Sequence, residues 1–176
     1  MKKLNEQKAK VYSEEKFRIL PKIYQKWNYL HSKYIITAFG ELAPDNKFDK
    51  DKLRALAWVH DIGKTEGEEN HPEKGINILS KDFSLDKIDK DCVLNHGSSS
   101  KPLTPEGRLF RNADGLSLFY PEIIKFKHDT EKKEGKSPEE ISESINKMYE
   151  KYKKAYADNP RAIKLLEEKY LSILRI

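Results

Sequence analysis

Cysteine is nearly absent from this sequence. Only Cys92 occurs in 176 residues, so no internal disulfide can form and no cysteine-rich zinc site can be built. Long apolar runs are missing too; no stretch approaches the roughly 20 residues that a membrane-spanning helix needs. The opening segment, MKKLNEQKAK, is basic but lacks the apolar stretch of a secretory leader. These absences predict an intracellular, cytoplasmic protein that does not engage a membrane. Alternating runs of Val, Ile and Thr are scarce, and no Asn-Gly or Asp-Gly pair stands between two such runs. Sheet structure therefore has no signal; Asp114-Gly115 lies inside a helical pattern.

What is present is charge. Charged residues make up 36% of the chain and the hydrophobic class 37%, with 10% aromatics. The aromatic content argues against a disordered chain, and the length suits one domain with a buried core. Thirty-four basic and 29 acidic residues leave a formal net charge of +5. A basic balance attracts phosphate-bearing partners. The plainer reading is a solvated Lys/Glu-rich surface. Charge alone does not separate a nucleotide from a nucleic acid.

The pattern reads as successive helices with short breaks. Ser13 suits the cap of a first helix that Pro21 interrupts. A second helix is predicted over 21–42, then a loop over 43–50 carrying Pro44, Asp45 and Asn46. A third helix spans about 51–62 and stops at Gly63, followed by a polar loop over 64–70. Pro72 suits the first position of a helix reaching Phe83, and Ser84 the cap of one ending at His96-Gly97. After a loop over 98–103, Thr104-Pro105-Glu106 opens a helix through Asp114 to Tyr120. Pro121 starts another, which fades by Lys136. Ser137-Pro138-Glu139-Glu140 is a capping box that begins a long helix to Asp158. Pro160 begins the last, with Leu165, Tyr170, Leu171 and Leu174 as its apolar contacts.

Five histidines occur, and their settings differ. Leu53, Leu56, Ala57 and His60 recur at helical spacing, which puts His60 on an apolar stripe with Asp61 directly after it. A carboxylate beside a core-facing histidine is costly unless something neutralises it, and a metal would do so. Ile23, Trp27, Leu30 and Tyr34 mark the inner face of the second helix, and His31 follows Trp27 by one turn. Ile88, Cys92 and His96 repeat the pattern, and Asp114 lies one turn from Phe110 and from Leu118. His71 stands at a helix entrance, before Pro72. Singly, such a histidine is more often a satisfied core residue, and an inward Asp more often pairs with an arginine such as Arg111. Their accumulation in so short a chain favours a metal. Imidazole with carboxylate suits zinc, iron, manganese or nickel rather than calcium or magnesium. His128-Asp129 is a contrast: it sits among Lys125, Lys127, Lys132 and Lys133 and reads as a solvated pair.

His31, then His60-Asp61 within WVHDIGK, then Asp114 within RNADGLS, resembles the HD-domain superfamily of metal-dependent phosphohydrolases. His71-Pro72-Glu73-Lys74-Gly75 and His96-Gly97 extend the likeness, which covers roughly residues 20–120. The resemblance implies an all-α, single-domain helical bundle over 1–176 with a central metal site, the helices over 121–176 packing on or extending its core. It implies His31, His60, Asp61 and Asp114 as ligands of one divalent metal, with Asp61 bridging to a second held by His71 and His96. Lys64 would meet a phosphate as a point charge, and Arg111 is a further phosphate-contact candidate. Many dinuclear members carry a second histidine beside the one at 96; here Asn95 and Gly97 flank it, so one or two ions remain open. The residues after Lys64 also lack the acidic arrangement of alarmone hydrolases.

The function so implied is hydrolysis of a phosphate ester of a nucleotide or similar small molecule. A CRISPR-type HD nuclease is the principal alternative, with lysines 125, 127, 132, 133 and 136 tracking a strand. An HD-fold di-iron oxygenase would use the same ligands, and a non-catalytic nucleotide-binding module is a further alternative. Neither substrate identity nor oligomeric state has a signature in the sequence.

Overall fold

The computed structural model describes residues 3–45 and 47–174. Asn46, one of the turn residues named above, lies outside the described residues. Within them the chain forms nine helices: α1 (Glu6–Phe17), α2 (Lys22–Leu42), α3 (Lys50–Val59), α4 (His71–Leu79), α5 (Lys87–Leu94), α6 (Pro105–Ser117), α7 (Pro121–Lys133), α8 (Pro138–Ala155) and α9 (Pro160–Ile173). A 3₁₀ turn, Ile62–Glu66, follows α3, and no β-strand occurs among the described residues.

Capping chemistry sets most boundaries. Thr104 and Asn159 accept from the backbone N–H groups of Gly107 and Ala162, each with a proline directly after the cap. Ser137 and Glu140 form the expected capping box of α8. Several expected ends move. Ser13 is buried within α1, which Asn5 caps instead through the Lys8 N–H. Asp86, not Ser84, caps α5, in a reciprocal box with Asp89. Asn70, in a left-handed conformation, precedes α4, so Pro72 is its second residue rather than its first, and α4 ends at Leu79 rather than Phe83. The loop expected over 64–70 begins as part of the 3₁₀ turn.

The main core is built on α2, α3 and α6. Ile35, Ala38, Leu53, Leu56, Phe110, Ala113 and Leu116 are buried in one cluster. The rings of Phe39 and Phe110 meet across α2 and α6 at 5.6 Å. Burial of this kind stabilises by about 25 cal/mol per Å² of apolar surface. The stripe on α2 differs from the expected one: Asn28, His31, Ser32, Ile35, Ala38 and Phe39 face inward, while Ile23 is exposed. The C-terminal helices cover this core. Tyr152, Tyr156, Ala162 and Leu166 join the main cluster, and the Tyr156 hydroxyl donates to the Asn112 carbonyl at 2.7 Å. Leu171 and Leu174, expected as apolar contacts, are exposed. A smaller cluster of Ile124, Ile141 and Ile145 ties α7 to α8.

Candidate metal centre

Six side chains from separate parts of the chain converge. His31 comes from the middle of α2, His60 and Asp61 from the junction of α3 and the 3₁₀ turn, His71 from the first position of α4, His96 from just beyond α5 and Asp114 from α6. All but His71 are buried, and His71 is half-buried.

Each of the four histidines is oriented by its Nδ1. His60, His71 and His96 each donate to the carbonyl three residues upstream: Ala57 at 3.0 Å, Glu68 at 2.9 Å and Val93 at 2.7 Å. His31 donates to the Ser117 hydroxyl at 2.8 Å, which itself donates to the Asp114 carbonyl at 2.6 Å. A carbonyl can only accept, so the Nδ1 proton is fixed and the Nε2 atoms turn toward the centre.

At that centre, acceptors face acceptors. His31 Nε2 lies 3.0 Å and His60 Nε2 3.4 Å from Asp114 Oδ1. His60 Nε2 is also 3.5 Å from Asp61 Oδ2. On the other side, Asp61 Oδ1 lies 3.2 Å from His71 Nε2 and 3.5 Å from His96 Nε2. The two Nε2 atoms of His71 and His96 are 3.1 Å apart. His60 Nε2 and Asp61 Oδ1 are buried with no hydrogen-bond partner among the described residues. With Nδ1 protonated, neutral imidazoles bring only lone pairs to these contacts. Buried lone pairs gathered this way need a cation or extra protons. The donor set fits a divalent transition metal, and two groupings have donor atoms close enough to hold one: His31, His60 and Asp114, and His60, Asp61 and His96.

Burial alone would raise the Asp61 carboxyl. Electrostatic attraction from His60 and Lys64, with hydrogen bonds from His71 and His96, outweighs it and holds Asp61 well below the usual carboxylate range. Asp114 is likewise raised by burial but held low by His31 and His60. Lys64 Nζ lies 2.7 Å from Asp61 Oδ2. Burial favours its neutral form, but Asp61 prevails and raises its pKa, so the ammonium is retained.

Arg111 stands apart from this cluster. Its guanidinium donates to the Ser100 carbonyl at 3.3 Å and to Asn112 Oδ1, and pairs with Asp158 at 3.4 Å. His128 is on the surface beside Asp129, as its lysine-rich setting predicts. Sequence reasoning missed three supports of the site. Ser117 anchors His31, and its spacing of three from Asp114 was the available signal. Trp27, taken as part of the inner face, stacks on His31 with ring centroids 6.0 Å apart. Gly63 lets the 3₁₀ turn press against α4: a Cβ there would lie 1.9 Å from the His71 carbonyl oxygen.

The arrangement of helices and the order of these residues define a class. The HD domain family matches residues 28–118, and the chain belongs to that family. Among individual relatives, ribonuclease Y of Fervidobacterium nodosum is 31% identical over 94 residues, covering 52% of this chain and 18% of the relative. Ribonuclease Y of Ureaplasma parvum is 31% identical over 94 residues, covering 52% of this chain and 20% of the relative. That of Thermotoga maritima is 30% identical over 94 residues, covering 52% and 18%. The chain thus spans about a fifth of the length of the curated relatives it matches. No solved structure matches it. Among the described residues, no helix is long and apolar enough to cross a membrane.

Proposed function

We propose that this chain is a metal-dependent phosphohydrolase that cleaves a phosphate ester of a nucleotide or similar small molecule. The observation that carries the reading is the convergence of four inward Nε2 atoms on two buried carboxylates, each imidazole fixed from behind, with His60 Nε2 and Asp61 Oδ1 left without a hydrogen-bond partner among the described residues. His31, His60, Asp114 and Asp61 Oδ2 would hold one ion. Asp61 Oδ1, His71 and His96 would hold a second. Iron, manganese, nickel and zinc suit this donor set. A bound divalent metal supplies an acidified water and positive charge against phosphate oxygens. Lys64, tied to Asp61 in the free protein, offers its ammonium to the phosphate and orients it as a point charge. Arg111 is left out of this reading, because its guanidinium is engaged by Ser100, Asn112 and Asp158.

The test is metal analysis of freshly purified protein and of Asp61→Ala, followed by a phosphate-ester screen with the metal found. Wild type should carry one to two equivalents and release phosphate or nucleoside; Asp61→Ala should lose both properties and keep its helicity. A protein that takes up no divalent ion would end the proposal. Iron with oxygen consumption and no ester hydrolysis would replace it with an oxygenase.

A nuclease is the second reading, favoured by the similarity to ribonuclease Y. Cleavage of single-stranded RNA outpacing that of mononucleotides, with strongly salt-dependent binding, would favour it over the first.

A further inference from the structure

A groove of about 600 Å³ opens beside the metal centre, and Lys64 lines it. It is thus continuous with the cluster through the ammonium that touches Asp61 at 2.7 Å. Its walls carry Trp27 and Phe126, whose ring centroids are 5.6 Å apart, with Ile23, Leu118 and Met148 alongside. Trp27 is the link on the second side, since its indole lies nearly parallel to the His31 imidazole, 14° off, with centroids 6.0 Å apart. One end of the groove therefore reaches the cluster by a cation and an aromatic ring. The remainder sets apolar and aromatic side chains beside Thr130, Lys127 and three glutamates.

Charge narrows the occupant. Besides Lys64 the groove has Lys127, against Glu68, Glu131 and Glu134. Lys127 and Lys136 are both engaged by Glu131, so among the described residues no free cation remains along it for a second phosphate or a run of them. What fits is one phosphate at the Lys64 end and an uncharged planar ring beyond it. Asn28 and Glu131 also line the groove. Both are more than nine-tenths buried, and Asn28 Oδ1 and Glu131 Oε2 have no hydrogen-bond partner among the described residues. The aromatic walls favour a flat ring at this position, and a nucleobase is one.

We infer that this groove is a nucleobase subsite, in which Trp27 and Phe126 stack the base of a nucleoside monophosphate whose phosphate lies at Lys64. This rests on the phosphohydrolase reading and narrows its substrate class from phosphate esters in general to nucleotides. Trp27 and Phe126 are specificity residues here; neither is assigned a part in bond cleavage.

The test compares two ligands that differ only in the base. Non-hydrolysable phosphonate analogues of adenosine 5′-monophosphate and ribose 5-phosphate are titrated calorimetrically into metal-loaded wild type, Trp27→Ala, Trp27→Phe and Phe126→Ala. Stacking of a base on an aromatic side chain is expected to tighten nucleotide binding about tenfold to a hundredfold over the sugar phosphate. That gain should fall away in Trp27→Ala, shrink in Phe126→Ala and largely persist in Trp27→Phe, while ribose 5-phosphate binding stays level. Metal content is measured on every variant, because Trp27 leans on His31; if Trp27→Ala loses metal, Phe126→Ala decides. Equal binding of the two analogues by wild type, or a base-dependent gain untouched in the deciding variant, overturns the subsite. If both parent esters are nonetheless hydrolysed, the phosphohydrolase reading survives. Failure of either analogue to bind, with no hydrolysis of either ester, sinks both.

Discussion

Gly63→Ala separates the two halves of the metal centre. The added Cβ would lie 1.9 Å from the His71 carbonyl oxygen and 2.6 Å from the Gly75 nitrogen, inside the first turn of α4. Both atoms are backbone, so no side chain can swing aside. Restoring an ordinary contact requires α4 to retreat by about 1.5 Å. His71 is the first residue of that helix and moves with it. Metal–ligand distances tolerate only about 0.2 Å, so an ion shared by His71, His96 and Asp61 Oδ1 should be lost. His31, His60 and Asp114 stand on α2, the end of α3 and α6 respectively, and should keep theirs. Overpacking of this kind costs about 1–3 kcal/mol, which lowers Tm by about 2–12 °C in a chain of this size. Gly75→Ala is the matched control: its Cβ would meet the His60 carbonyl at 3.5 Å, an ordinary contact. Metal analysis and thermal melts of the two variants provide the assay. Gly63→Ala with wild-type metal content and Tm would refute the close-approach argument. Equal damage from Gly75→Ala would show that α4 tolerates no change at all.

Four further outcomes are expected. Ser117→Ala removes the acceptor of the His31 Nδ1 proton and should weaken metal binding about 10–100-fold, read by chelator competition; unchanged affinity would leave His31 needing no such anchor. Lys64→Ala should raise KM or lower kcat while retaining metal, and loss of metal would mean that the lysine supports the ligand shell instead. His128→Ala, on the exposed His-Asp pair, should change neither metal content nor activity in the same assays. Asp91 is buried and accepts from the Leu103 N–H, the Thr104 N–H at 2.8 Å and the Thr104 hydroxyl at 2.6 Å. Asp91→Ala would orphan these donors and cost about 3 kcal/mol by denaturant unfolding. Burial raises the Asp91 carboxyl, but these hydrogen bonds together lower its pKa below the ordinary value of 3.8. Its contribution is therefore complete above about pH 4 and is lost as pH falls through the lower folded value; an acid limb of the stability curve identical in Asp91→Asn would contradict this.

The ligand cluster was legible because four of its members interrupt apolar stripes. His31, His60, His96 and Asp114 each sit where helical spacing favours a hydrophobe, and their accumulation is what points to a shared site. What orients them left almost no trace. The acceptors for His60, His71 and His96 are carbonyls three residues upstream, and a carbonyl has no identity in a sequence. Gly63 shows in the sequence as a helix stop within the HDIGK stretch, but the close approach of α4 that requires a glycine there does not. Asp91 follows Asp89 and Lys90 on α5 like one more surface charge, and nothing there announces that it fastens the chain at Leu103 and Thr104.

The misplaced stripe on α2 is more instructive. Ile23 and Trp27 keep helical spacing with Leu30 and Tyr34, so periodicity assigns them to the core. Instead the helix turns Asn28, His31 and Ser32 inward, leaving Ile23 exposed and Trp27 half-buried at the groove. Two requirements compete on one helix: the His/Asp cluster places His31 inside, and the core places Ile35, Ala38 and Phe39 inside farther along. Both are met by one rotation of α2, which carries the apolar residues of its first turns to the wall beside Lys64. An apolar stripe in excess of what the core can absorb is costly to leave in water, and it is tolerated where something else covers it. On α2 that excess falls at the mouth of the metal centre, where a flat, uncharged ring attached to a phosphate would cover it.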